Sequence, residues 1–182
     1  MEEWFTKECL EFWDFLSKNK GKEVEELKKA IDNGVYSKDI YLLERDKNYT
    51  SDEGEYFGFY LLDELAERND YHELLTYILS IALTKPTQKQ LERALQMAVV
   101  HNAPLNVCLL LDHGAIPVAQ HYFATVETGY LKIFNMLLEK TDPSDLKKMK
   151  KEIFRLSNEY LHDELLNNPK KTKIIKEMIR RS

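Results

Sequence analysis

Cysteine is scarce in this chain: 182 residues contain only Cys9 and Cys108. They lie far apart in sequence, so two reduced thiols are expected rather than a disulfide, with Cys108 a small core residue. Long apolar runs are missing too. Stretches such as Tyr56 to Leu62 and Val107 to Leu111 are far too short to span a bilayer, so no membrane is expected. The start, Met1-Glu2-Glu3-Trp4, is acidic where a secretory signal is basic, and no apolar segment follows; the expected location is the cytoplasm. In that compartment the sequon Asn48-Tyr49-Thr50 is accidental. Catalytic signatures are absent as well. There is no Gly-rich phosphate loop, Cys-x-x-Cys, His-Glu-x-x-His or Gly-x-Ser-x-Gly, so neither an enzyme nor a cofactor is expected.

What the chain does have is helical periodicity. At 43% hydrophobic and 31% charged it falls in the ordinary globular range, and its length suits one domain. Residues 2–18 place Trp4, Phe5, Phe12, Trp13, Phe15 and Leu16 among acids, which reads as an amphipathic helix with a core-facing aromatic side. Residues 35–57 break the period at the polar stretch Asp46 to Glu55, read as a long exposed loop. Thr87 with Gln90 three residues on has capping-box spacing. Pro117 and Pro143 stop preceding helices, Ser144 caps a helix to about Ser157, and Pro169 precedes a short basic helix, Lys170 to Arg181.

One pattern recurs. Residues 94–115 read as a helix with small Ala94 and Ala98, a tight turn at Asn102-Ala103, a second helix ending in Leu109-Leu110-Leu111, and a capping glycine, Gly114. A shift of 27 residues places Gly129 on Asn102, Phe134 on Val107 and Met136-Leu137-Leu138 on the Leu triplet. A shift back of 32 places Asp70 on Asn102, Leu65-Ala66 on Met97-Ala98 and Tyr77-Ile78-Leu79 on the same triplet. All three triplets are expected in the core, Gly114 at positive φ, and Asn106 on the surface. Val24 to Gly34 looks like another second helix with a C-capping glycine.

These residues resemble ankyrin repeats, best over 94–115, in the second helix over 121–143, and in apolar spacing and Leu65-Ala66 over 58–82. The family's Thr-Pro-Leu-His start is replaced by Arg93-Ala94-Leu95-Gln96 and Gln120-His121-Tyr122-Phe123. The resemblance implies an all-α fold: a short ankyrin-like helical-repeat solenoid with N-terminal and C-terminal capping helices. It would form a single domain over 1–182, with N-terminal helices and the long loop at 1–57, repeats at 58–143 and capping helices at 144–182. An irregular helical bundle is the alternative. Among the five histidines, His113, His121 and Cys108 would have to converge to hold a metal. The family commonly carries a histidine before its Gly-Ala as a helix-end cap, which accounts for His113 without a metal; His72 and His162 read as surface residues.

Charge is distributed unevenly. Residues 1–70 hold 19 Asp and Glu against 10 Lys and Arg, residues 71–143 hold 6 against 5, and residues 144–182 hold 6 against 11. Solvated helix faces would account for such a gradient, but so would an acidic surface that meets a basic protein. Nucleic acid is a poor partner for the acidic half, and the lysines at 147, 148, 150 and 151 read equally well as solubilising charge. In ankyrin-type stacks partners meet the hairpin tips and first helices. That rule picks out Asp52, Glu53 and Glu55 in the loop, Asp63, Glu64 and Glu67 on a helix, and His101, Asn102, Glu127 and Tyr130 at turns. The expected function is a non-enzymatic binding module. Some immunity proteins resemble short, divergent ankyrin stacks, so one form of it is a cytoplasmic inhibitor of a basic partner such as a bacterial toxin; the other is an adaptor or effector that recruits a host protein.

Overall fold

A computed structural model describes residues 6–44 and 60–181, without the side chains of 158–167, 178, 179 and 181. The described residues are all-helical, with ten α-helices and one isolated bridge, Glu44 to Tyr60, in place of any strand. Trp4, Phe5, the sequon and the polar stretch at 46–55 lie outside the described residues. No helix of the described residues is long and apolar enough to cross a membrane. The chain divides into two compact units. One comprises residues 1–65 and 70–86, the other residues 66–69 and 87–182.

In the first unit, helix α1 (Lys7–Lys18) begins at Thr6, whose hydroxyl oxygen accepts from the Cys9 N–H at 3.2 Å and donates to the Glu44 carbonyl at 2.6 Å. Its buried side, Cys9, Phe12 and Leu16, is the apolar stripe expected of 3.6-residue periodicity. Tyr36 meets the rings of Phe12 and Phe15 edge-on at 5.4 and 5.3 Å between centroids. Helix α2 (Glu23–Asp32) buries Leu27 and Ile31, and Gly34 follows it at φ +72°, the left-handed conformation of a helix-ending glycine. Residues Ile40–Leu42 form a 3-10 turn with Ile40 and Tyr41 buried, because Tyr41 donates to the Thr84 carbonyl at 2.9 Å and Asp39 accepts from the N–H groups of Leu83 and Thr84. Helices α3 (Leu61–Ala66) and α4 (His72–Ile81) contribute Leu61, Leu62, Leu65, Leu75 and Ile78 to this core.

In the second unit, α5 (Gln88–Val100) starts at Thr87 with both halves of the capping box formed by Gln90. It packs on α6 (Pro104–Asp112) and on α7 (Ala119–Thr128); α7 packs on α8 (Leu131–Glu139), and α6 on α8. Ala94 and Ala98 are fully buried, as are Val107, Leu110, Phe134 and Leu137. The triplets are only partly core: Ile78-Leu79, Leu110-Leu111 and Leu137-Leu138 are buried, whereas Tyr77, Leu109 and Met136 at their heads are half-exposed. Three consecutive helical residues span about 200° of arc, more than one buried stripe covers. Cys108 is exposed, correcting its assignment to the core; Cys9 is the buried thiol, and neither is in a disulfide.

The C-terminal helices begin earlier and run longer than their periodicity suggested. Asp142, not Ser144, caps α9 (Pro143–Asn167) by accepting the Ser144 N–H at 2.7 Å, with Pro143 in the first turn where its missing N–H costs nothing. Helix α10 (Pro169–Arg181) starts against the Asn168 carboxamide and contacts α7, α8 and α9. Replacing Leu110 or Leu137 by Ala is expected to destabilise the protein by about 2–5 kcal/mol, read from urea unfolding; a loss below about 1 kcal/mol at both would contradict the burial assigned to them.

Candidate functional site

The ten residues marked as partner-binding fall into different environments. Asp52, Glu53 and Glu55 lie outside the described residues. Asp63 is not a surface residue: it is 1% exposed, and its carboxylate accepts the Tyr60 N–H at 2.8 Å, the reach-back bond of a helix's third residue to the residue before its start. Glu64, one residue on, is half-buried. Residue spacing alone placed the two together on an acidic face; the demand of the first turn for acceptors turned Asp63 inward.

Glu67, His101 and Asn102 do come together. The His101 Nε2 lies 3.6 Å from Glu67 Oε2, and Asn102 turns the chain between α5 and α6 at φ +55°, the one positive φ at a non-glycine among the described residues. Two further asparagines, unmarked by the sequence reading, hold this group. Ala103, which opens α6, has no side chain able to cap it, and Asn69 supplies the acceptor, taking the Leu105 N–H at 3.2 Å and donating to the Asn102 carbonyl at 3.3 Å. Asn106, expected on the surface, is fully buried and donates to the carbonyls of Ala66 and Arg68 at 3.0 and 2.8 Å. An asparagine inside an otherwise apolar helix, where its propensity is poor, was the available signal. Residues 66–69 thus form a strap stitched to the α5–α6 turn by side-chain amides, with Glu67 and His101 at its outer edge.

Glu127 is exposed near the end of α7, and Tyr130 is half-buried beside Gly129, which takes φ +76°. A β-carbon on Gly129 would stand 3.6 Å from the Lys170 side chain, so α10 lies against this turn. The histidines do not assemble a metal site among the described residues. The His113 Nδ1 lies 2.9 Å from the Leu109 carbonyl, capping the end of α6. His121 is buried and neutral, its pKa held below the ordinary value by burial. The Val118 N–H donates to its Nδ1 at 3.0 Å, so the ring proton sits on Nε2 and is given to the Glu92 carbonyl at 2.8 Å. Tyr122 is buried on the same helix, and its phenol is pushed up to about 12 by burial while it donates to Thr141 at 2.7 Å. Neither residue opens onto a surface, and both serve the fold. No family model matches this chain, nor does any curated protein or solved structure.

Asn106→Ala is expected to cost about 1–3 kcal/mol, since it removes a fully buried amide and its two hydrogen bonds to the strap; unchanged urea stability would show the strap to be unimportant. His121 gives a pH signature. Above the unfolded pKa near 6.5 the ring is neutral in both states and contributes no pH dependence. As pH falls below that value the unfolded chain takes up a proton that the folded site refuses, so stability declines by up to about 1.4 kcal/mol per pH unit until the folded pKa is passed. Unfolding midpoints of wild type and His121→Gln, compared from pH 7.5 down to pH 5, should diverge only in the acid range; parallel curves would rule His121 out as the source.

Proposed function

We propose that this chain is a non-enzymatic protein-binding module, a divergent ankyrin-like helical-repeat protein that acts in the cytoplasm as an inhibitor or immunity protein of a basic partner such as a bacterial toxin. The observation that carries this reading is the agreement between two turns 27 residues apart. Asn102 and Gly129 both take positive φ; the Ala103 N–H bonds to the Ala98 carbonyl at 2.8 Å, and the Tyr130 N–H to the Thr125 carbonyl at 3.1 Å. Pro104 and Leu131 begin the following helices, and Val107 and Phe134 are buried at the same register. Contacts of α5 with α6 and α7 with α8, and of α5 with α7 and α6 with α8, are the set that two stacked helix pairs would make. Such stacks would present a surface of turns and first helices; His101 and Asn102 at the α5–α6 turn, with Glu67 beside them on the strap, would be part of it.

The inhibitor form rests on charge. The first 70 residues carry the chain's excess of acid, and reduced thiols at Cys9 and Cys108 suit a reducing compartment. An acidic surface facing a basic partner speeds association more than it strengthens the complex. A partner captured from the source cell and identified by mass spectrometry should therefore associate roughly tenfold more slowly in high salt than in low salt, with dissociation less affected. Reversing Glu64 and Glu67 to Lys should slow association further while leaving the circular dichroism spectrum unchanged. Asp63 is unsuited to this test because its buried carboxylate holds the start of α3. Association rates indifferent to salt and to both reversals would leave the acidic half a solvated face.

A further inference from the structure

The first unit contains a groove that none of the sequence-marked residues line. Two adjoining hollows of about 370 and 210 Å³ run beside the first half of α1 and share Glu8, Leu42 and Leu43. The walls are apolar: Val35 is 66% exposed, Tyr36, Leu42 and Leu43 are half-buried, and Ile40 lies beneath them. A valine this open beside a preformed hollow is unsatisfied apolar surface.

Its edge is acidic. Glu8 and Glu11 are three residues apart, one above the other on the face of α1 that borders the groove. Both are exposed. Glu11 has Lys7 at 3.4 Å, but both side chains stand in solvent and the pair adds little. The Tyr36 phenol reports the local field: its pKa is raised by burial first and by the charges of Glu11 and Asp14 next. Asp39, also at the groove, is committed to the backbone and hydroxyl of Thr84 and the Leu83 N–H, and Glu44 at the second hollow is half-buried, so the carboxylates most open to solvent are those of the α1 edge.

We propose that this groove seats a short cationic segment of a partner protein, with an aliphatic side chain against Val35 and Leu43 and a flanking lysine or arginine over Glu8 and Glu11. An apolar anchor in a pocket combined with rim charge is the division of labour seen at protein interfaces, where the anchor supplies affinity and the charge supplies steering. Apolar contact alone would take any hydrophobic chain; the α1 carboxylates select the basic one. The inference rests on the reading of the chain as a binder of basic protein and names the site on it.

The test is an NMR titration of the ¹⁵N-labelled full chain with a blocked peptide of alternating Lys and Leu, beside the same peptide with every lysine acetylated. Expected are amide shifts confined to residues 7–11 and 35–44. Binding should weaken about tenfold for the acetylated peptide, for Glu8→Gln with Glu11→Gln, and for Val35→Lys. All three substituted positions are exposed, so folding is preserved and is checked by circular dichroism. Equal binding to the variants, shifts that fall elsewhere, or no binding at all would overturn the proposal. So would concentration-dependent broadening of the groove amides without peptide, which would assign the groove to a second copy of the chain. A basic partner captured with the groove unperturbed would sink the groove and leave the function standing, and a filled groove on a chain that captures no basic partner would do the reverse.

Discussion

Helices of nine or ten residues do not persist in water by themselves, because the cost of nucleating them outruns the few hydrogen bonds they gain. Helices α6, α7 and α8 are of that length, so each exists only through its neighbours. The seam that holds them is made of Leu95, Val107, Leu110, Tyr122, Phe134 and Leu137, all almost wholly withdrawn from solvent. Small residues are as necessary there as large ones. Ala94 and Ala98 bring α5 close to its partners, and the Tyr122 and Phe134 rings meet edge-on at 5.7 Å across α7 and α8. Turn geometry matters as much, since a helix this short that leaves its turn at the wrong angle misses the seam. That is why left-handed residues stand at Asn102, Gly114 and Gly129.

Signals carried by local backbone chemistry were legible in the sequence. The Thr87–Gln90 capping box, the left-handed glycines Gly34 and Gly114 and the His113 cap all depend on residues within a few positions of one another, and local chemistry decides them. What could not be read was which way a nearly all-apolar helix faces. Helix α6, Pro-Leu-Asn-Val-Cys-Leu-Leu-Leu-Asp, offers no polar stripe to fix its rotation. The misplacements of Asn106 and Cys108 are one error, because residues two apart on a helix point to nearly opposite sides. Putting the cysteine inward put the asparagine outward; the carbonyls of Ala66 and Arg68, 40 and 38 residues away, reverse both.

The acidic residues were misjudged for a related reason. A carboxylate looks the same in sequence whether it is bound for solvent or for the unpaired N–H groups at a helix start. Asp63 and Asp39 both accept from backbone donors, and Asp63, buried, presents no charge outward in the way the count of acids suggested. Glu8 and Glu11 were passed over because nothing in the sequence puts residues 35–44 beside α1. That contact depends on Thr6 reaching the Glu44 carbonyl and Tyr41 reaching Thr84.

Most contacts of the second unit join helices that follow one another closely in the chain, a topology that assembles quickly because little loop entropy is lost at each step. The strap at 66–69 is an exception, as is α10 where it lies against the α7–α8 turn. The strap's bonds to Leu105 and Asn106 close loops of 36 to 40 residues, and they have a target only once α6 has been built. The strap is therefore among the last parts to arrive and among the first to let go. Its release frees a few amide bonds and leaves the seam of α5 to α8 intact, so local opening there costs less than unfolding the unit. Glu67 rides on that strap, so the edge of the turn surface is tied to α6 through the side-chain amides of Asn69 and Asn106 rather than through the apolar seam behind it.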